Sequence, residues 1–323
     1  MIKEHVFSTI RDEWDQLLKK CNINNIFLST SWQELWWDKF GIGDLRILAY
    51  SDGDELIGIA PFELVDSSVR FLGDTDLFDY HDFVISSGNE LDFFRNIIEW
   101  LNVNHISEVI LPSVPSQSPT LNFFPELAKK DGWTSNINKE DVCPKLELPS
   151  SWEEYLLSLR KKDRHELRRK FRRLENVGST EIVTLETHDD IAKNIDSFFH
   201  LMRESRADKD IFLTPEREEF FRHMSNVLSE KHLIRLSLLY VESKISASTI
   251  CFDFEDTRFL YNSGLDHEYD NLSVGLLLTA SCIHDAIDRG LKNFDFLRGD
   301  EPYKYHLGGV DQEIFGVTLL KNG

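Results

Sequence analysis

The hydrophobic and polar positions of the chain change period repeatedly, and each change marks an element. Residues 1 to 20 read as a short strand and an amphipathic helix whose buried face carries Trp14, Leu17 and Leu18. In FLSTSWQELWW, Ser29, Thr30 or Ser31 can cap a helix that gathers Trp32, Leu35 and Trp36 on one side. LRILAYSDGDELIGIAPFEL is two alternating runs around Asp-Gly, the signature of a tight hairpin, and VRFLG supplies a third strand. A helix over residues 91–102 and a strand over 108–111 follow, after which PSVPSQSPT predicts a surface loop. WEEYLLSLRKKDRHELRRKFRRLENVG reads as one long helix that ends at Gly178. Beyond it the pattern predicts a strand at 181–185, helices at 191–204 and 215–230, and strands at 234–240, 247–254 and 258–261. Ser273 is placed to cap a helix bearing Leu276, Leu277, Ala280, Ile283 and Ile287, Gly290 stops it, and NFDFL is a strand. A helical crossover between two strands favours a parallel pair. Gly41, Gly58 and Gly264 read as ordinary turns.

Mixed strands and helices over 323 residues, 41% of them hydrophobic with 23 Phe and 7 Trp, suit an α+β chain with two cores, divided at 1–149 and 150–323. No apolar run approaches the roughly 20 residues a membrane helix needs, and MIKEHVFSTIRDEW lacks the apolar centre of a signal peptide, so a cytoplasmic location is expected. Cys21, Cys143, Cys251 and Cys282 are scattered without a CxxC pair, which argues against a disulfide framework and against a metal site.

The net charge of −20 opposes a general nucleic-acid surface. Its distribution changes that picture: residues 1–159 hold 12 positive and 27 negative groups, 160–173 hold 9 and 2, and 174–323 hold 15 and 27. One basic island, including Arg168 and Arg169, sits in an acidic protein and could meet phosphates, although a charge run also serves as a solvated helix face. At the turn NLSVG, Asn271, Ser273, Val274 and Gly275 precede a helix whose free N–H groups and positive dipole end suit a diphosphate. After the NFDFL strand, Arg298, Asp300, Tyr303, Lys304 and their neighbours crowd polar chemistry into one loop. Asp79, Tyr80, His81 and Asp82 form a second acidic and aromatic loop that could bind an amine or supply a base.

The run YDNLSVGLLLTASCIHDAIDRGLKNFDFLRGDEPYKYHLG, with SLRKKDRHELRRKFRRLENVG upstream, resembles the Fem-related branch of the GNAT superfamily, and the N-terminal half matches that branch more loosely. The resemblance implies two tandem GNAT-like acyltransferase domains with mixed sheets flanked by helices, an acyl-CoA co-substrate, no metal, and a small-molecule or glycan amine acceptor in the cleft between the domains. It places Lys304 opposite the reacting carbonyl. Asp295 alternates with Phe294 and Phe296 and could meet the acceptor amine or cap a loop, and Tyr303 could give a proton to the leaving thiolate.

Acyl transfer to an amine needs a neutral amine, a stabilised carbonyl oxygen and a held donor. The chain has no GxSxG elbow and no HExxH, which disfavours hydrolase chemistry. NLSVG carries a single glycine where many CoA-binding relatives are glycine-rich. Two further readings follow: a Fem-like transferase that takes aminoacyl-tRNA along the basic helix, and a non-catalytic module that binds a glycan or a partner.

Overall fold

The computed structural model describes residues 1–322. The chain opens with β1 (Ile2–His5) and α1 (Phe7–Leu18), whose Phe7, Ile10, Trp14, Leu17 and Leu18 are buried at helical spacing. Ser29 accepts a hydrogen bond from the Trp32 amide and so caps α2 (Thr30–Phe40). The Asp-Gly signal makes its hairpin: β2 (Asp44–Asp52) pairs antiparallel with β3 (Glu55–Val65), and Gly53 takes φ 58° in the turn. Next come β4 (Ser68–Phe71), β5 (Val84–Ile85) and α3 (Glu90–Val103).

The Pro- and Ser-rich segment is not a loop. β6 (Glu108–Pro115) runs through its first half, and Ser118 caps α4 (Pro119–Lys130) with Pro119 in the first turn, where the missing N–H costs nothing. β7 (Trp133–Val142) completes this half. Phe62, Phe71, Phe83, Phe93, Phe94 and Phe124 fill its core, with Phe83 at 4.9–5.7 Å from the other five in edge-on contacts.

The second half contains β8 (Lys145–Glu147), α5 (Trp152–Ser158), α6 (Lys161–Glu175) and β9 (Thr180–Leu185). The single helix expected over 152–178 is broken at Leu159, whose backbone is extended at ψ 147°. The break lets Leu156, Leu159 and Leu167 all enter one core, and Arg164 donates to the Leu157 carbonyl at the end of α5. Then follow α7 (His188–Ser205), α8 (Ala207–Phe212), α9 (Pro215–Glu230), β10 (Ile234–Val241), β11 (Lys244–Phe254) and β12 (Thr257–Leu265). α10 (Val274–Asp288), β13 (Asn293–Asp295), α11 (Pro302–His306) and β14 (Glu313–Lys321) close the chain.

Contacts divide the protein into two units: Met1–Val142 with the segment from Gln312 onward, and Cys143–Asp311. The sequence pattern predicts one boundary, after residue 149, whereas the chain passes between units twice. The cause is β14, which buries Val317 and Leu319 in the first core and lies between β6 and β7. The first sheet runs β1-β2-β3-β4-β6-β14-β7 with β5 on β3, and the second runs β8-β13-β12-β11-β10-β9. In the second sheet only β12 and β13 are parallel, as the helical crossover predicts.

Two glycines read as turns lie inside strands. A Cβ on Gly58 of β3 would stand 2.3 Å from the Phe93 ring, and one on Gly264 of β12 would stand 2.4 Å from the Met202 nitrogen in α7. Both permit close approach of a helix to a sheet. No described helix is long and apolar enough to cross a membrane.

Candidate active site

β12 outruns its parallel neighbour. Thr257, Arg258 and Phe259 register with Asn293, Phe294 and Asp295, and there β13 stops while β12 continues to Leu265. The stretch from Leu260 to Leu265 stays paired with β11 on one side, with a bulge at Tyr261, and has no strand partner among the described residues on the other. The departing chain turns through Leu297 at φ 57° and Gly299 at φ 107°. Left-handed backbone is costly at a leucine, so something must hold this turn.

Lys304 holds it. Its side chain is buried, and Nζ donates to the carbonyls of Leu297 (2.9 Å), Arg298 (2.7 Å) and Gly299 (3.0 Å) while pairing with Glu301 at 3.0 Å. An ammonium has three N–H donors, and three carbonyls take them all. The resemblance places Lys304 opposite a reacting carbonyl; in this structure its Nζ clamps the loop. Buried Asp295 accepts from the Leu297 amide at 2.8 Å and braces the same turn. Half-buried Arg298 contributes its carbonyl to the clamp, and Asp300 is exposed. Tyr303 packs against Phe296, and burial pushes its phenol pKa up, so it stays protonated.

A second lysine enters from α8, an element absent from the sequence reading. Lys209 Nζ donates to the Ser263 carbonyl and lies 3.3 Å from Ser263 Oγ, on the stretch of β12 beyond β13. Burial, with the cations Arg206 and Lys304 acting in the same sense, brings its pKa down to about 8 against the pull of Asp208 and Glu301. Glu301 lies 3.6 Å from Arg206 and is flanked by Lys304 on its other side; burial opposes its ionisation, yet these two cations hold its pKa below the usual range. Arg206, Lys209, Glu301 and Lys304 thus form one cluster at the open end of the parallel pair.

At the start of α10, Ser273 is not a side-chain cap. It adopts φ 59° and ψ 41°, and its hydroxyl accepts from Lys170 of α6. Arg173 donates to the Asn271 carbonyl. Val274 is buried, and Gly275 faces Leu265 so closely that a Cβ would lie 2.9 Å from its methyl. The first-turn amides of α10 have no side-chain cap, and two cations border the turn, which suits an anion.

The loop at 79–82 is not an open substrate loop. Asp79 is half-buried, while Tyr80, His81 and Asp82 are buried in the first unit, with His81 stacked between Phe71 (6.1 Å) and Phe78 (4.7 Å). Asp82 Oδ1 accepts from Thr120 Oγ1 at 2.6 Å and from the Phe83 amide at 2.9 Å, the Ser118 hydroxyl approaches the carboxyl, and Oδ2 has no partner in bonding geometry. Burial raises the Asp82 pKa to about 6, against the contrary effect of these donors. The residue borders a pocket of about 230 Å³ that also meets Cys21, Glu90, Gln117 and Asn122.

Residues 161–305 match the acetyltransferase (GNAT) domain family. Similar solved structures span nearly the whole chain. FemX is 12% identical with a TM-score of 0.71, over 98% of this chain and 96% of its own. The C-terminal domain of a candidate lysylphosphatidylglycerol synthetase from Agrobacterium fabrum is 10% identical with a TM-score of 0.61, over 98% and 93%. A tandem GNAT protein from the clavulanic acid biosynthesis pathway is 11% identical with a TM-score of 0.54, over 98% and 97%. No curated protein matches the chain. The second unit holds the GNAT domain match, over residues 161–305. The whole chain shares its fold with FemX and with the tandem GNAT protein.

Within the GNAT domain the sequence-selected residues separate by role. Lys304, Asp295 and Arg298 meet around one turn, Asn271 to Gly275 form the uncapped helix start, and the basic helix divides. Arg169 pairs with Glu166 at 2.6 Å, whereas Arg168 faces a groove. Lys209 and Arg206 escaped sequence reasoning because ADKDIF is a six-residue helix with no fully buried side chain and Arg206 is the residue just before it. A lysine flanked by acids and followed by Ile-Phe has no signal of its own; only the tertiary contact with Ser263 reveals it.

Proposed function

We propose that the chain moves an acyl group from acyl-CoA to an amine, with an amino sugar or another amine-bearing envelope or polysaccharide precursor as acceptor. The observation that carries this reading is the edge of β12 that continues past the end of β13, beside half-buried Lys209 and buried Lys304. A strand edge offers backbone donors and acceptors to an extended, amide-bearing chain, as the pantetheine arm of coenzyme A is. The start of α10, with Lys170 and Arg173 beside it, would take the diphosphate.

In this reading the amine nitrogen bonds to the thioester carbonyl carbon, the oxygen gathers negative charge, and collapse breaks the C–S bond. The amine proton leaves to a base and the thiolate takes up a proton. Lys209 supplies the cation that meets the developing oxyanion, because the donors of Lys304 are committed to the loop. Lys304 acts as a positioning residue that keeps the parallel pair open. Thermal unfolding with coenzyme A, acetyl-CoA and longer thioesters tests the donor. A thioester at about 100 times its dissociation constant should add about 2.7 kcal/mol of stability, and no shift with any thioester rejects the reading.

A further inference from the structure

Outside the cluster just described, the GNAT domain carries a groove of about 650 Å³ between α5, α6 and α10. Its polar wall is a helical stripe on α6: His165, Arg168 and Arg172 recur at spacings of three and four, and Glu175 continues the stripe to the end of the groove. Its opposite wall is aromatic. Trp152 of α5 lies stacked on His284 of α10 with ring centroids 4.5 Å apart and planes 18° apart, and Phe171 meets Trp152 edge-on.

The partners of the basic helix single out two side chains. Arg160 pairs with Asp163, Arg164 donates to the end of α5, Arg169 pairs with Glu166, Lys170 bonds Ser273 and Arg173 bonds Asn271. The Arg168 guanidinium has no hydrogen bond or ion pair among the described residues, and that of Arg172 makes only a 3.4 Å contact to the Arg168 carbonyl. In a protein of net charge −20, two arginines facing the same cavity without a carboxylate partner form an unmet anion site. Guanidinium groups match phosphate in geometry as well as charge, and an aromatic wall beside them suits a planar ring.

We infer that this groove binds a nucleotide, with the phosphate on Arg168 and Arg172 and the base against the Trp152–His284 wall. The inference rests on the transferase reading only for the source of the nucleotide, since coenzyme A and an RNA-borne donor both carry adenosine phosphates. Calorimetric titration of the full chain with ADP, coenzyme A, a hexa-adenylate and inorganic pyrophosphate tests it. ADP is expected to bind, Arg168→Ala with Arg172→Ala to weaken it tenfold or more, and Arg169→Ala to leave it unchanged. His284→Ala should weaken ADP and spare pyrophosphate. Two neutralised phosphates also make hexa-adenylate affinity fall about sevenfold between 50 and 200 mM salt, a dependence the double variant loses.

If coenzyme A loses affinity in the double variant, the groove serves the thioester donor. If hexa-adenylate binds through the arginines and no thioester binds, the groove stands and the acyl-CoA reading fails. If thioesters bind with affinity unchanged in the double variant, that reading stands and the inference is overturned. It is equally overturned if no nucleotide binds, or if pyrophosphate binds as tightly as ADP.

Discussion

Two lysines that share a cluster have different work, and their pH behaviour separates them. Lys209 holds its proton less readily in the folded protein than in the unfolded chain, 8 against 10.5 in approximate pKa. Its burial therefore costs stability below about pH 8, and the cost disappears as pH rises toward 10.5. Lys209→Met should raise stability at pH 7, lose that advantage in denaturation series above pH 8, and lower kcat by about 10²- to 10³-fold. Lys304→Met should act the other way on stability. It strips three loop carbonyls of their donor, so a loss of about 3 kcal/mol and faster amide exchange at residues 296–301 are expected. Asp82 gives a third test in the first unit. Its folded pKa of about 6 lies above the 3.8 of an exposed Asp, so stability falls as pH rises between those values. The difference amounts to about 3 kcal/mol. Urea titrations from pH 4 to 7.5 should show that slope in the wild type and its absence in Asp82→Asn.

At the scale of elements, β12 is held against α7 by what Gly264 lacks. A Cβ there meets the Leu201 and Met202 backbone at 2.4–2.8 Å, and backbone cannot swing aside as a side chain can. Gly264→Ala should cost about 1–3 kcal/mol by denaturant midpoint, and more if β12 must shift. From sequence this residue reads as a turn because a glycine after Asn-Ser looks the same in both settings; only the helix packed behind it tells them apart. Where one element carries its own period the reading succeeded, as in the Asp-Gly hairpin, the Ser29 cap, α9 and the parallel pair joined by α10. It failed where neighbours decide. The break at Leu159 follows from a core that wants three leucines on one side, β6 passes through Pro112 where its register with β14 shifts, and α8 owes its importance to one contact. The candidate site divides in the same way: Lys304 was legible by resemblance, but its donors' direction and the presence of Lys209 were not.

For the molecule as a whole, the uneven charge and the doubled crossing of the chain matter most. An acidic protein with nine cations in one short segment keeps its attraction for anions local. The crossing makes a sharper prediction. Removing everything from Gln312 onward takes away β14, which pairs with β6 on one side and β7 on the other. Calorimetry of that truncated chain should show the transition of the first unit lost or shifted down by more than 10 °C, with β6 and β7 exposed to exchange. An unchanged transition would mean that the first sheet does not depend on β14.

The placement of β14 also sets an order of events during synthesis. Although most of the first unit leaves the ribosome before any of the second, its sheet stays open between β6 and β7 until residues 313–321 emerge. A nascent chain stalled within the GNAT domain thus displays two bare strand edges that other chains can pair with. The half of the protein that is made first is finished last.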